Sequence, residues 1–316
     1  MTENNIPCPV CASASPKTVS ARVQLRPNDQ FNLLLCVECA SWFFHPLPSG
    51  RQLADFYAAD YYSFDRDQEE GKGRCFAARL SRQKPTGTFL DVGCATGFML
   101  NGIRRHSSWE VYGCEFSPAA SAFARDTLGL QVATGQLADA AYPDAFFDVV
   151  QVNNVLEHVL DPAGLLVEIH RILKPEGRLL LNVPNGSNDV LPILDFWRTE
   201  GIPPYGKDGH LYFLSARGLR RLFERTFFRV ERQRTHGIKR GLRHLKWLPP
   251  KPGWKTAYQP RQACPRNQTA IPQTSHRARP SWYYDFRFWY GHLRSLPGLW
   301  PFGLDFSFEL KPGRKG

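Results

Sequence analysis

Three groups of residues in this chain could do chemistry. The first is four cysteines in two pairs, Cys8-x2-Cys11 and Cys36-x2-Cys39, with 24 residues between the pairs. Each C-x2-C lets one tight turn aim two thiolates at a single point, and two such turns complete a tetrahedral sulfur site for zinc. With all four positions filled by protein, such a site would be structural, not catalytic. The alternative is chance spacing of buried free thiols; Cys75, Cys94, Cys114 and Cys264 stand alone in this way. The second group is the turn Asp91-Val92-Gly93-Cys94-Ala95-Thr96-Gly97, followed 24 residues after Asp91 by Glu115. Small residues at 93, 95 and 97 let the backbone approach a ligand at a helix N-terminus, and a strand-end carboxylate can accept both hydroxyls of a ribose. The third group is the histidines, of which His210 and then His158 are placed to move a proton, since an unperturbed imidazole titrates near pH 6.5.

These groups need elements to hold them. From Thr88 onward strands and helices alternate: TFLDVG, a helix from Gly97 to Arg105, WEVYGCE, a helix from Pro118 to Leu128, LQVAT, and FFDVVQV. Asp161-Pro162 then starts a helix as N-cap and first residue, with Leu165, Leu166, Ile169, Ile172 and Leu173 at helical spacing. Lys174-Pro175-Glu176-Gly177 closes it, and RLLLNVP follows as a strand. Such alternation predicts an α/β fold, a doubly wound parallel sheet with helices on both faces, binding its ligand beyond the strand carboxyl ends. Ser215 can cap a helix carrying Leu219, Leu222 and Phe223; FFRVERQ and, near the end, GLDFSFELKP read as strands. Before the turn, VSARVQL and FNLLLCV flank Pro27-Asn28-Asp29 as a hairpin would, placing the paired cysteines on a small ribbon.

Bulk properties set outer limits. A chain of 316 residues with 42% hydrophobic and 22% charged content can bury a full core. The first twenty residues lack a signal pattern, and no apolar run approaches the roughly 18 residues of a membrane span, so the expected location is cytoplasmic. The net charge of +11 sits entirely between Gly237 and Gly303, which hold twelve Lys or Arg against Asp285 alone. That stretch also holds five of the eight tryptophans and nine prolines, a mixture too proline-rich for one helix and too aromatic for an ordinary linker. It reads as a lid over the pocket, as a peripheral membrane contact, or as a plain surface loop.

In order and spacing, LDVGCATGF, GCEFSP, FFDVVQVNNVLEHVLDP and ILKPEGRLLLNVPN resemble the successive motifs of class I S-adenosylmethionine-dependent methyltransferases, over roughly residues 88 to 236. The resemblance implies a seven-stranded Rossmann-like sheet. It implies that Asp91, Gly93, Ala95 and Gly97 surround the methionine part of the cofactor and that Glu115 with Phe116 holds its ribose side. Gln136 and Leu137 fall where the family contacts adenine, and Asn153 near the sulfonium. Ala95 stands where the family has its middle glycine, and Gln136 where an Asp is more usual. The N-terminal ribbon with WFFHPLPSGRQLADFYAADYY looks like a bacterial branch that joins a cysteine-rich zinc ribbon to this fold and acts on small molecules, often sugars or cell-surface polysaccharide precursors.

The chain therefore divides into a zinc ribbon at 1–47, a linker or helical segment at 48–87, and a methyltransferase domain at 88–316 with the basic aromatic insertion at 237–303 between its last two strands. The expected function is methyl transfer to a small-molecule acceptor. A dehydrogenase would share the glycine turn and the ribose acid but not the fourth strand and LEH-x2-DP. An RNA-modifying methyltransferase would use the ribbon and the insertion to grip nucleic acid, yet Asn153-Asn154-Val155-Leu156 lacks the N/D-P-P-aromatic motif of base-amine methylases. A scaffold that merely keeps a cofactor pocket is the third reading.

Overall fold

The computed structural model describes residues 6–14, 16–23, 31–53, 65–194, 209–238, 242, 296–297 and 304–314. Nearly all of the insertion at 237–303 lies outside the described residues, and with it the lid, membrane and loop readings.

The main sheet is built from β4 (Thr86–Val92), β5 (Ser108–Glu115), β6 (Gln131–Thr134), β7 (Phe147–Asn153), β8 (Leu173–Pro184), β10 (Phe228–His236) and β12 (Asp305–Pro312). A two-residue edge strand, β11 (Leu296–Pro297), brings the order to β11-β10-β12-β8-β7-β4-β5-β6. β4 pairs in parallel with β5 and β7, and the parallel set continues through β5–β6 and β7–β8. β12 runs antiparallel to β8 and β10, so the two C-terminal strands form the expected antiparallel pair. The result is a Rossmann-like methyltransferase fold with seven main strands, mostly parallel. The strand order reverses between β4 and β7, which places the ligand crevice at their carboxyl ends.

Local chemistry explains where the helices start. Asp161 accepts from the Gly164 N–H at 2.9 Å and Pro162 opens α4 (Pro162–Ile172), as the sequence predicts. α2 (Phe98–His106) starts one residue later than expected because Gly97 takes a left-handed conformation, φ 77°, as its N-cap. α3 (Pro118–Asp126) is capped by Ser117. β8 begins at Leu173, directly after α4; the Lys174–Gly177 turn lies within it, marked by the register shift between Phe147 and Val149.

α1 (Arg66–Gln83) packs on α2 through glycine. A Cβ on Gly73 would lie 2.2 Å from the Met99 carbonyl oxygen, and one on Gly102 2.4 Å from that of Glu70. Only two bare backbones can approach so closely.

A second sheet has the order β1-β2-β3-β9, from β1 (Pro16–Val23), β2 (Phe31–Cys36), β3 (Trp42–His45) and β9 (Tyr212–Phe213). The hairpin of β1 and β2 was expected; β3 and β9 were not. β9 comes from the segment just before α6 (Ala216–Arg225), with Trp42 opposite Phe213 and Phe43 opposite Tyr212. The ribbon and the main fold therefore share a continuous core, in which Leu33, Phe43, Phe44, Tyr212 and Phe213 are all buried. Ser215, the N-cap of α6, fixes this junction: its N–H donates to Ser41 Oγ at 3.1 Å, and its hydroxyl donates to the Cys39 carbonyl.

Candidate functional site

At the carboxyl end of β4, the chain leaves the sheet through Gly93, Ala95 and Gly97, all with positive φ (77°, 50° and 77°). Gly93 is held by its N–H donating to the Cys114 carbonyl at 2.7 Å, and a Cβ there would meet Val155 Cγ2 at 2.4 Å. At Gly97 a Cβ would meet Leu130 Cδ1 at 2.6 Å. Ala95 holds a left-handed conformation without glycine's freedom, an unfavourable state for an L-residue. What holds it is Glu115, whose Oε2 accepts from the Ala95 N–H at 2.9 Å while Oε1 accepts from the Ser117 N–H at 2.8 Å. Glu115 is 3% exposed, so one buried carboxylate ties the turn after β4 to the turn after β5.

Asp91, also buried, accepts from the Gln151 side-chain amide at 3.2 Å. Burial raises its pKa to about 7; the Gln151 hydrogen bond opposes this, and the charges of Glu115 and Glu69 add to it. A buried carboxylate beside this turn suits a cationic ligand.

The turn after β6 reaches the same rim: the Gly135 N–H donates to the Glu115 carbonyl at 3.0 Å. Gln136 is exposed and caps a short 3-10 turn at 137–140, reciprocally with Asp139. The Leu137 side chain is 4% exposed and packed in the core, leaving that residue mainly its backbone to offer. Phe116 is 38% exposed beside Glu115, and Asn153 is exposed at the end of β7. The fold thus gathers Asp91, Gly93, Ala95, Gly97, Glu115 and Phe116 at one end of the sheet, with Gln136 and Asn153 on its flanks.

Beyond β7 lies a second cluster. The Val155 that packs on Gly93 begins a turn in which the His158 N–H donates to the Val155 carbonyl at 2.9 Å. The Glu157 carbonyl accepts from the N–H groups of Leu211 and Tyr212 at 2.7 and 3.2 Å, bringing His210 to His158 with ring centroids 4.8 Å apart. His210 Nδ1 lies 2.6 Å from Asp189 Oδ2, at the end of α5 (Gly186–Asp189). Burial, reinforced by the nearby His210, pushes His158 down to about 3, so its ring is neutral. Glu157 is 1% exposed, and neither carboxylate oxygen has a hydrogen-bond partner among the described residues. Burial lifts its pKa to about 7, against the pull of His210.

The four cysteines converge, with Cys8 Sγ 3.8 Å from Cys39 Sγ, Cys11 Sγ 3.6 Å from Cys36 Sγ, and all four sulfurs within 4.8 Å of one another. Both turns have one construction. The Ala12 and Ala40 N–H groups donate to the Cys8 and Cys36 carbonyls at 2.8 and 2.7 Å, and both alanines are left-handed, φ 61° and 58°. Hydrogen bonding from Cys8 draws Cys39 down to about 5, while burial pushes Cys36 up.

Sequence reasoning missed Gln151, Asp189 and Glu157. Gln151, a lone amide in the apolar run FFDVVQV, was a readable signal; Asp189 was not, because only the fold brings it to His210.

Residues 65–233, more than half of the chain, match the family model described as a methyltransferase domain. The chain belongs to that family. It is 35% identical over 104 residues to a ubiquinone biosynthesis O-methyltransferase of Alkalilimnicola ehrlichii, covering 30% of this chain and 41% of that protein. It is 27% identical over 145 residues to a ubiquinone/menaquinone biosynthesis C-methyltransferase of Desulfotalea psychrophila, covering 44% and 59%. The chain thus spans about half the length of these curated relatives. A solved S-adenosylmethionine-dependent methyltransferase of Thermotoga maritima is 15% identical, with a TM-score of 0.46 over 83% of this chain and 93% of that one. Among the described residues, no helix is long and apolar enough to cross a membrane.

Proposed function

We propose that this chain transfers the methyl group of S-adenosylmethionine to a small-molecule acceptor. The observation that carries the proposal is the tie between Glu115 and the Ala95 N–H, which sets a buried carboxylate beside a glycine turn at the sheet's switch point. In this reading Asp91, Gly93, Ala95 and Gly97 surround the methionine part, Glu115 and Phe116 take the ribose side, Gln136 and the Leu137 backbone flank adenine, and Asn153 lies towards the sulfonium.

The sulfonium is already an activated donor, so the protein mainly aligns acceptor and methyl and removes a proton. An acceptor oxygen attacks the methyl carbon, the carbon–sulfur bond breaks, and its electron pair stays on sulfur as the thioether. His210 is the group to receive the hydroxyl proton: Asp189 holds its Nδ1 at 2.6 Å and so orients the ring as a base. His158, held neutral, lines the same wall.

The four cysteines fit zinc. A tetrahedral ion with bonds of about 2.3 Å requires sulfurs about 3.8 Å apart; two of the six sulfur pairs are at 3.8 and 3.6 Å, and all lie within 4.8 Å. In this role zinc is structural and stiffens the sheet whose edge strand β9 follows His210.

For the acceptor we propose a hydroxylated small molecule: a sugar or polysaccharide precursor, as the ribbon-bearing branch suggests, or a hydroxylated aromatic of the class implied by the quinone-pathway relatives. The test is incubation with methyl-labelled S-adenosylmethionine and pools of nucleotide sugars or of hydroxylated aromatics. One pool gains label in step with S-adenosylhomocysteine, and His210→Ala loses turnover while keeping cofactor affinity. A protein that does not bind the cofactor sinks the proposal.

A further inference from the structure

Glu157, His158 and His210 raise a question that proton transfer alone does not answer. A carboxylate 1% exposed, with no hydrogen-bond partner for either oxygen among the described residues, is a costly thing to bury. It sits against two imidazoles, its Oε1 3.8 Å from His158 Nε2, and one ligand atom from each of the three residues falls within 4.8 Å of the others. Two imidazole nitrogens and a carboxylate oxygen are the donor set of zinc and of manganese, iron or cobalt in the divalent state. Bonds of about 2.1 Å place tetrahedral ligand atoms about 3.4 Å apart, so small side-chain rotations would close the site.

The surrounding bonds have the form that metal-bound histidines need. Asp189 Oδ2 lies 2.6 Å from His210 Nδ1, a carboxylate–imidazole contact that orients the ring. The Gly209 backbone also hydrogen-bonds the His158 ring. All three side chains are nearly buried, and the cluster is joined through Val155 to the glycine turn at Gly93.

We propose that Glu157, His158 and His210 bind one divalent transition-metal cation, with Asp189 orienting His210 and an open position left for an acceptor oxygen. This rests on the reading of this wall as the acceptor side, and it puts His210 in the role of ligand in place of base. With the cation bound, His210 would be a ligand, and the hydroxyl proton would leave to solvent from a cation-bound oxygen whose pKa the cation lowers.

The test uses the full chain with its cysteine site loaded with zinc, titrated with Mn²⁺, a cation that thiolates bind poorly, and followed by the electron paramagnetic resonance of free Mn²⁺. The wild type takes up one Mn²⁺ per chain. Glu157→Gln and His210→Ala weaken uptake at least tenfold, and Asp189→Asn weakens it by about 10- to 100-fold. Co²⁺ then gives visible bands of nitrogen and oxygen ligation without thiolate charge transfer. S-adenosylmethionine affinity, measured on the same samples, is unchanged in all three variants; it reports folding and separates this proposal from the methyltransferase reading. Should a variant fail to fold, the wild type still serves, because Mn²⁺ raises its melting temperature. Absence of Mn²⁺ uptake by the wild type, or equal uptake by wild type and a folded Glu157→Gln protein, overturns the proposal.

Discussion

Asp91 makes cofactor binding depend on pH in a way that can be worked out beforehand. Burial holds its pKa at about 7, whereas an exposed aspartate titrates near 3.9. S-adenosylmethionine brings an ammonium and a sulfonium, so it binds the ionised form of Asp91 and must first displace a proton below pH 7. With a pKa of about 7, roughly three quarters of the protein is ionised at pH 7.5 and about 3% at pH 5.5. Affinity should therefore fall about 25-fold over that interval, or about 1.9 kcal/mol. Titration calorimetry in two buffers of different ionisation enthalpy measures both the affinity and the proton released on binding. Asp91→Asn, which keeps a hydrogen-bonding partner for Gln151, should bind more weakly and lose most of the slope. An affinity that stays flat in the wild type, or an equal slope in both proteins, would refute the reasoning. The same shift has a stability consequence. A raised carboxylate pKa favours the folded state at low pH, and that contribution is lost as pH rises from the ordinary aspartate range through about 7. The protein should show this loss, and Asp91→Asn should show a smaller one, the remainder coming from Glu157, whose pKa burial also lifts to about 7.

Three further outcomes can be measured. Glu115→Ala should weaken S-adenosylmethionine by about 1 to 3 kcal/mol, from lost charge-assisted hydrogen bonds and from a loosened Ala95 turn; unchanged affinity by calorimetry would move the cofactor elsewhere. Gly102→Ala should destabilise the fold by about 2 kcal/mol or more, because its Cβ would meet the Glu70 carbonyl oxygen at 2.4 Å and neither helix backbone can yield cheaply; chemical denaturation gives the value. Cys36→Ser should lose the zinc, with about one zinc per chain in the wild type by metal analysis. Because β3 pairs with β9 two residues beyond His210, acceptor turnover should fall with the metal while cofactor affinity is kept.

The parts legible in the sequence were those that short segments decide for themselves. Asp161-Pro162 and Ser215 announce helix starts by capping chemistry, and Gly93, Gly97 and Glu115 mark a turn and a strand end that recur at fixed spacing. The paired cysteines carry their geometry in the C-x2-C spacing. What stayed hidden depends on distant segments meeting. Tyr212-Phe213 is too short to read as a strand and becomes one only against Trp42 and Phe43. Asp189 meets His210 across 21 residues, and Gln151 reaches Asp91 across 60. The two-residue β11 gives no periodic signal.

The most direct test of the central claim is a structure of the full chain with S-adenosylmethionine. The account predicts the ribose hydroxyls on Glu115, the amino acid moiety against the 93–97 turn near Asp91, and the methyl group directed towards the side where His158 and His210 lie. A cofactor bound elsewhere on the chain, or none bound at saturating concentration, would contradict it.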